Sequence, residues 1–152
     1  MSKKEYFPAM HTAEHLLNST MDKMFACGRS FSSHIEKKKS KCDYHLSKRM
    51  TEKELAAVER TVNEIIKLNI PVTEEFIGRR EADEKYFTGK LPSEAGDTIR
   101  IIRIGNFDAC PCIGQHVGNT SEIGLFSIIS ADYDDAVMRI RFKVGNVSEI
   151  QK

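Results

Sequence analysis

Apolar residues recur along the first part of the chain at helical spacing. Met10, Ala13, Leu17, Met21 and Met24 fall three and four positions apart, which predicts a helix over residues 8–27 with one apolar stripe. Pro8 suits its start and Gly28 its end. His11 and His15, four apart, project from the same side of that helix, beside the stripe. The period then changes to two. Phe31, Ser33 and Ile35 alternate with Ser32, His34 and Glu36, and Cys42, Tyr44 and Leu46 alternate with Asp43 and His45, which predicts a hairpin. Its tip is Lys37, Lys38, Lys39, Ser40 and Lys41, read either as a solvated turn or as a phosphate-binding finger. His34 and His45 fall on the polar face and are expected to be structural or exposed.

A second helix is predicted over residues 51–68. Thr51 and Glu54 form a capping box, and Leu55, Val58, Val62 and Ile65 make the buried stripe. Asn69 and Pro71 end it. Residues 71–77 read as a short strand, 79–87 as one or two helical turns before Gly89, and 91–97 as loop. Residues 98–104, TIRIIRI, are rich in β-branched side chains and predict a strand, with Gly105 and Asn106 turning the chain after it. Residues 125–129 predict an apolar, central strand and 132–135 a turn. Ala136, Met138, Ile140, Phe142 and Val144 then alternate with Val137, Arg139, Arg141 and Lys143, a half-buried strand. The expected fold is α+β, one domain over residues 1–152, with an antiparallel sheet carrying two main helices on one face. In that arrangement the first helix can lie over the loop that follows residue 107.

Composition narrows the functional classes. The chain has 152 residues, 40% of them hydrophobic, and a formal net charge of +1. No global field draws in nucleic acid, so RNA contact must rest on patches: Lys37, Lys38, Lys39 and Lys41, Lys48 with Arg49, or Arg79 with Arg80. The start, MSKKEYFPAM, lacks an apolar run of signal-peptide length, and nothing approaches the ~20 apolar residues of a membrane span. The expectation is a soluble, cytoplasmic protein that binds neither membrane nor DNA. Without a secretion signal, Cys27, Cys42, Cys110 and Cys112 do not suggest a disulfide framework.

Reactive side chains are densest in residues 107–128, FDACPCIGQHVGNTSEIGLFSI. Cys112 and His116 stand four apart there, as His11 and His15 do in HTAEH. Three imidazoles and a thiolate are a donor set that Zn²⁺ prefers, and four is the right number. The zinc-protease pattern HExxH is absent, because Thr12 stands where its glutamate would be and Glu14 is misplaced for that role. Cys110, Pro111 and Cys112 do not have the redox C-x-x-C spacing.

Two motifs in order complete a resemblance. HTAEHLL at 11–17 resembles the HTAxHLL motif of alanyl-tRNA synthetase editing domains, and CIGQHVGNTSEIGLFSI at 112–128 resembles their CGGTHVxNTGEIGxFKI segment. VERTVNEIIKLNIPV and VMRIRFKVGN are also similar to the family, and the threonyl-tRNA synthetase editing domain shares both motifs. With no aminoacylation domain in the sequence, the chain looks like the small, free-standing kind. The resemblance implies hydrolysis of mischarged aminoacyl-tRNA, serine or glycine on an alanine tRNA, with the acceptor end as partner. It implies Zn²⁺ held by His11, His15, Cys112 and His116, and substrate contacts from Gly114, Gln115 and Thr120. Two positions depart from the pattern. Ile113, Gly114 and Gln115 stand where the family has Gly-Gly-Thr, and Cys110 stands where it often has a carboxylate, the nearest acid being Asp108. Asp108 and Cys110 are therefore the catalytic candidates. Four protein ligands would close a tetrahedral zinc, so hydrolysis requires a loose ligand, a five-coordinate ion, or an ion that only holds the substrate's amino group. The alternative function is a zinc-containing tRNA-binding module without catalysis.

Overall fold

The first helix, α1 (Pro8–Phe25), forms where the apolar stripe predicts it, and buries Met10, Ala13, Leu16, Leu17 and Met21. Met24 is not part of that stripe and stays 43% exposed. The left-handed residue that stops the helix is Ala26 (φ 53°) rather than Gly28, which follows in its own left-handed turn. The computed structural model describes residues 7–86 and 97–145. The chain continues through β1 (Ser32–His34), β2 (Ser40–His45), α2 (Glu52–Ile66), β3 (Val72–Gly78), α3 (Arg79–Lys85), β4 (Thr98–Ile104) and β5 (Asp108–Pro111). A 3₁₀ turn (Thr120–Ile123), β6 (Leu125–Asp134) and β7 (Val137–Gly145) complete it. The loop expected over 91–97 lies, apart from Asp97, outside the described residues, as do Phe87 and Gly89.

The fold is α+β with antiparallel pairing, but the strands divide between two sheets rather than one. Four run in the order β1-β2-β7-β6 and three in the order β3-β4-β5. The inward residues of β7, Met138, Ile140 and Phe142, meet Cys42, Tyr44 and Phe126 with α1 and α2 in one core. Helix α2 starts on the predicted box: Glu54 N–H donates to Thr51 Oγ1 at 3.1 Å and Thr51 N–H to Glu54 Oε1 at 2.8 Å, a cap worth about 1 kcal/mol. Its polar side chains serve the sheet edge. Asn63 exchanges two hydrogen bonds with the Phe126 backbone, and Glu59 accepts from Ile128 N–H, so part of the edge strand β6 is covered rather than open.

Strand β6 runs five residues past the predicted end at Ile129, through a bulge near Ser130. The turn is Asp135–Ala136, both at positive φ (50° and 63°) as a tight hairpin requires, so Ala136 belongs to the turn and not to the strand. In the smaller sheet, β4 is central and buries Ile99, Ile101, Ile102 and Ile104. The alternation of β5 places Ala109 with the cluster of Ala82, Ile99 and Ile101, while Asp108 and Cys110 reach His15 of α1. That alternation delivers reactive groups to the helix. Phe31, expected inward on the first hairpin, is 41% exposed and stacks on His45 with ring centres 3.9 Å apart.

Candidate metal centre

Helix α1 carries His11 and His15 on its side, and the end of β5 with the loop after it carries Cys112 and His116. One ligand atom from each of the four lies within 4.8 Å of the others. Cys112 Sγ stands 3.5 Å from His11 Nε2 and 3.4 Å from His116 Nε2. A tetrahedral zinc with its usual bond lengths would hold sulfur and nitrogen about 3.5 Å apart, so the spacing fits such an ion. The rings crowd around the same point: His11 stacks on His116 at 4.5 Å between centres, and His15 meets His116 edge-on at 4.4 Å.

The loop that holds two of these donors is anchored along its length. Arg100 donates to the Cys112 carbonyl at 3.2 Å and the Gly114 carbonyl at 2.6 Å, while Cys112 N–H donates to the Arg100 carbonyl. Val117 N–H donates to Thr12 Oγ1 at 3.2 Å, and Val72 N–H to the Gly118 carbonyl at 2.9 Å. Gly114 is buried directly against the His11 ring and its N–H donates to Cys112 Sγ at 3.4 Å.

Electrostatics suit a cation. Burial pushes the Cys112 thiol up, but hydrogen bonds from His11, His116 and His15 outweigh it and lower its pKa to about 3, so the sulfur is a thiolate at neutral pH. Burial likewise works against a charged His15, yet Cys110 and Asp108 raise its pKa well above the ordinary value. Burial lowers that of His116, and its contact with Cys112 only partly opposes this. Asp108 stays below the usual carboxylate range although burial pushes it up, because His15 and Arg29 hold its charge.

Asp108 and Cys110 occupy the far side of His15. Its Nδ1 lies 3.3 Å from Asp108 Oδ2 and 3.3 Å from Cys110 Sγ. His15, Asp108 and Cys110 would also group as metal donors, but Arg29 already takes both Asp108 oxygens, at 2.6 and 3.2 Å. That fork makes the carboxylate a hydrogen-bond partner for the imidazole, the arrangement that orients a metal-binding histidine. A cleft of about 410 Å³ opens beside Asp108, lined among others by Ser19, Lys23, Arg29 and Arg103, but by none of the four donors.

The other expected residues lie as follows. Gln115 is exposed. Thr120 is fully buried, its hydroxyl donating to the Ile66 carbonyl and accepting from Ile70 N–H, so it ties α2 to the 3₁₀ turn and offers nothing to a substrate. Lys37, Lys38 and Lys39 are exposed on the first hairpin, and Lys41 pairs with Asp43 at 3.0 Å. Arg79 pairs with Asp83 at 3.5 Å, and Arg80, Lys48 and Arg49 are exposed. Three residues at the centre were not anticipated. Arg29 holds Asp108, Thr12 contacts His116, and Glu14 Oε1 stands 3.5 Å from His11 Nε2. Glu14 had a signal, since it shares a helical turn with both histidines. Arg29 had none.

No helix among the described residues is long and apolar enough to cross a membrane. Residues 99–141 match the family described as the threonyl and alanyl tRNA synthetase second additional domain. The alanine–tRNA ligase of Methanococcus vannielii is 33% identical over 144 residues, covering 89% of this chain. That of Methanococcus maripaludis strain C7 is 34% identical over 151 residues (92%), and that of Pseudothermotoga lettingae 35% over 121 residues (79%). The chain spans 16% of the length of the two Methanococcus ligases and 14% of the third. On these grounds the chain belongs to the editing-domain family related to alanyl-tRNA synthetase.

Proposed function

We propose that the chain hydrolyses the ester of mischarged aminoacyl-tRNA, serine or glycine on an alanine tRNA, in the cytoplasm and at a zinc ion held by His11, His15, Cys112 and His116. The observation that carries this reading is the convergence of those four donors within 4.8 Å in a chain about a third identical to alanine–tRNA ligases. Bound zinc would supply a Lewis acid for the ester carbonyl and offset the charge developing on its oxygen. An aminoacyl ester is already activated, so the protein's own task is mainly placement.

The roles follow from the contacts. Asp108, held by Arg29, and Cys110 fix the His15 ring rather than meet the substrate. Glu14, out of register for the HExxH pattern, stands 3.5 Å from His11 Nε2 in this fold and takes the proton of the attacking water. Ile113 and Gln115, exposed on either side of buried Gly114, flank the amino-acid pocket. Lys37, Lys38, Lys39 and Lys41 with Arg79 and Arg80 supply phosphate contacts for the acceptor end. A non-catalytic tRNA-binding module is the second reading, favoured by Cys110 standing where the resembled motif has an acid.

A deacylation panel separates the two. The zinc-loaded protein should release serine and glycine from alanine tRNA faster than it releases alanine. Binding of the same tRNAs with no release above the spontaneous rate would overturn the hydrolase and leave the binding module.

A further inference from the structure

We propose that the Thr12 hydroxyl is a positioning group that fixes the His116 imidazole in the tautomer able to bind metal. The inference rests on the metal-centre reading above. Thr12 is fully buried, on α1 between the two helical histidines. Its Oγ1 lies 2.8 Å from the Pro8 carbonyl oxygen and 2.9 Å from His116 Nδ1, and accepts from Val117 N–H at 3.2 Å.

A hydroxyl has one proton and two lone pairs. Two oxygens at 2.8 Å need a proton between them, and the Pro8 carbonyl has none, so Thr12 donates there. Both lone pairs are then acceptors, filled by Val117 N–H and by the His116 ring. His116 Nδ1 must carry the hydrogen. A neutral imidazole protonated at Nδ1 has its lone pair on Nε2, and Nε2 is the atom 3.4 Å from Cys112 Sγ. In the other tautomer an N–H would point into the donor cluster, while Nδ1 and Thr12 Oγ1 faced each other lone pair to lone pair.

Thr12 thus does for His116 what Asp108 does for His15, with one difference. The carboxylate adds a negative charge beside its ring, whereas the hydroxyl sets the ring's direction without adding any. The same oxygen binds Val117 N–H, so α1 and the Cys112–His116 loop are locked together at the place where their donors meet.

Thr12→Val keeps the shape and removes the hydroxyl, and Thr12→Ser keeps the hydroxyl. Nitrogen NMR of the metal-free, ¹⁵N-labelled protein at mildly alkaline pH reads the His116 tautomer, assigned by comparison with His116→Gln. Zinc affinity is read by competition with a chelator. The parent and Thr12→Ser should show His116 protonated at Nδ1, and Thr12→Val should lose that preference. Thr12→Val should bind zinc about 10- to 100-fold more weakly, with Thr12→Ser close to the parent. An Nε2-protonated ring in the parent, or zinc affinity in folded Thr12→Val within about twofold of the parent, would overturn the proposal. Should Thr12→Val not fold, the tautomer in the parent still decides. Neither readout involves deacylation, so a protein that passes both and hydrolyses nothing counts against the proposed function and not against this role.

Discussion

Gly114 lies against the His11 ring so closely that a Cβ there would stand 2.1 Å from Cε1 and 2.4 Å from Nδ1. No side chain fits without moving the imidazole. The position also carries the N–H that reaches Cys112 Sγ and the carbonyl that Arg100 clamps. Its smallness lets the His11 ring close on the candidate centre, and its backbone ties the loop to Cys112 and Arg100. Gly114→Ala should displace His11 and weaken zinc binding by at least about tenfold, with little change in thermal stability, since the ring can swing toward solvent. Chelator competition checks it. Parent-like affinity in Gly114→Ala would mean that His11 is not a ligand.

Zinc uptake should release the proton held by His15. Cys112 is already a thiolate at neutral pH, its pKa near 3, and burial lowers the pKa of His116, whereas Cys110 and Asp108 raise that of His15 well above its ordinary value against the effect of burial. The sign follows from that direction. A raised folded-state pKa means that protonated His15 stabilises the metal-free fold below its ordinary value of 6.5, and the benefit fades as pH rises through the folded pKa. Metal affinity should move the opposite way, rising with pH over the same window. Calorimetry in two buffers of different ionisation heat counts the protons, and uptake with no proton release would show that His15 is already neutral.

Glu14 provides a test at the level of chemistry. Its Oε1 stands 3.5 Å from His11 Nε2, on the same helical turn. Glu14→Gln preserves shape and removes the ability to take a proton. The expected outcome is a fall in kcat of about 100-fold or more, with zinc content and tRNA affinity kept. A kcat within a few-fold of the parent would return the proton-accepting role to solvent or to the substrate itself.

Much of this site is legible in the sequence because spacing carries it. His11 and His15 share a helix face whatever the helix packs against, and Cys112 to His116 is a local relation. The alternation in β7 and the Thr51–Glu54 box are equally local. What escapes is long-range. Arg29 meets Asp108 across 79 positions and Thr12 meets His116 across 104, and no periodicity links such pairs. The division into two sheets escapes for the same reason, since TIRIIRI reads as a strand without naming its neighbours. The short β5, DACP, is hidden by its length and its proline, though it delivers Asp108 and Cys110 to His15. Ala26 and Ala136 are missed as turn residues because alanine rarely takes positive φ, and here the surrounding structure imposes it.

Cobalt substitution tests the ligand set at its central residue. Cys110 and Cys112 are two positions apart, and both contact His15, but only Cys112 also meets His11 and His116. The cobalt-loaded parent should show a tetrahedral spectrum with a sulfur-to-metal charge-transfer band, and near-stoichiometric zinc should be found in protein purified without added metal. Cys110→Ser should keep both. Cys112→Ser should lose the charge-transfer band and bind zinc far more weakly. If Cys110→Ser loses the band while Cys112→Ser retains it, the thiolate belongs to the other cysteine, and the metal centre described here is wrong at its core.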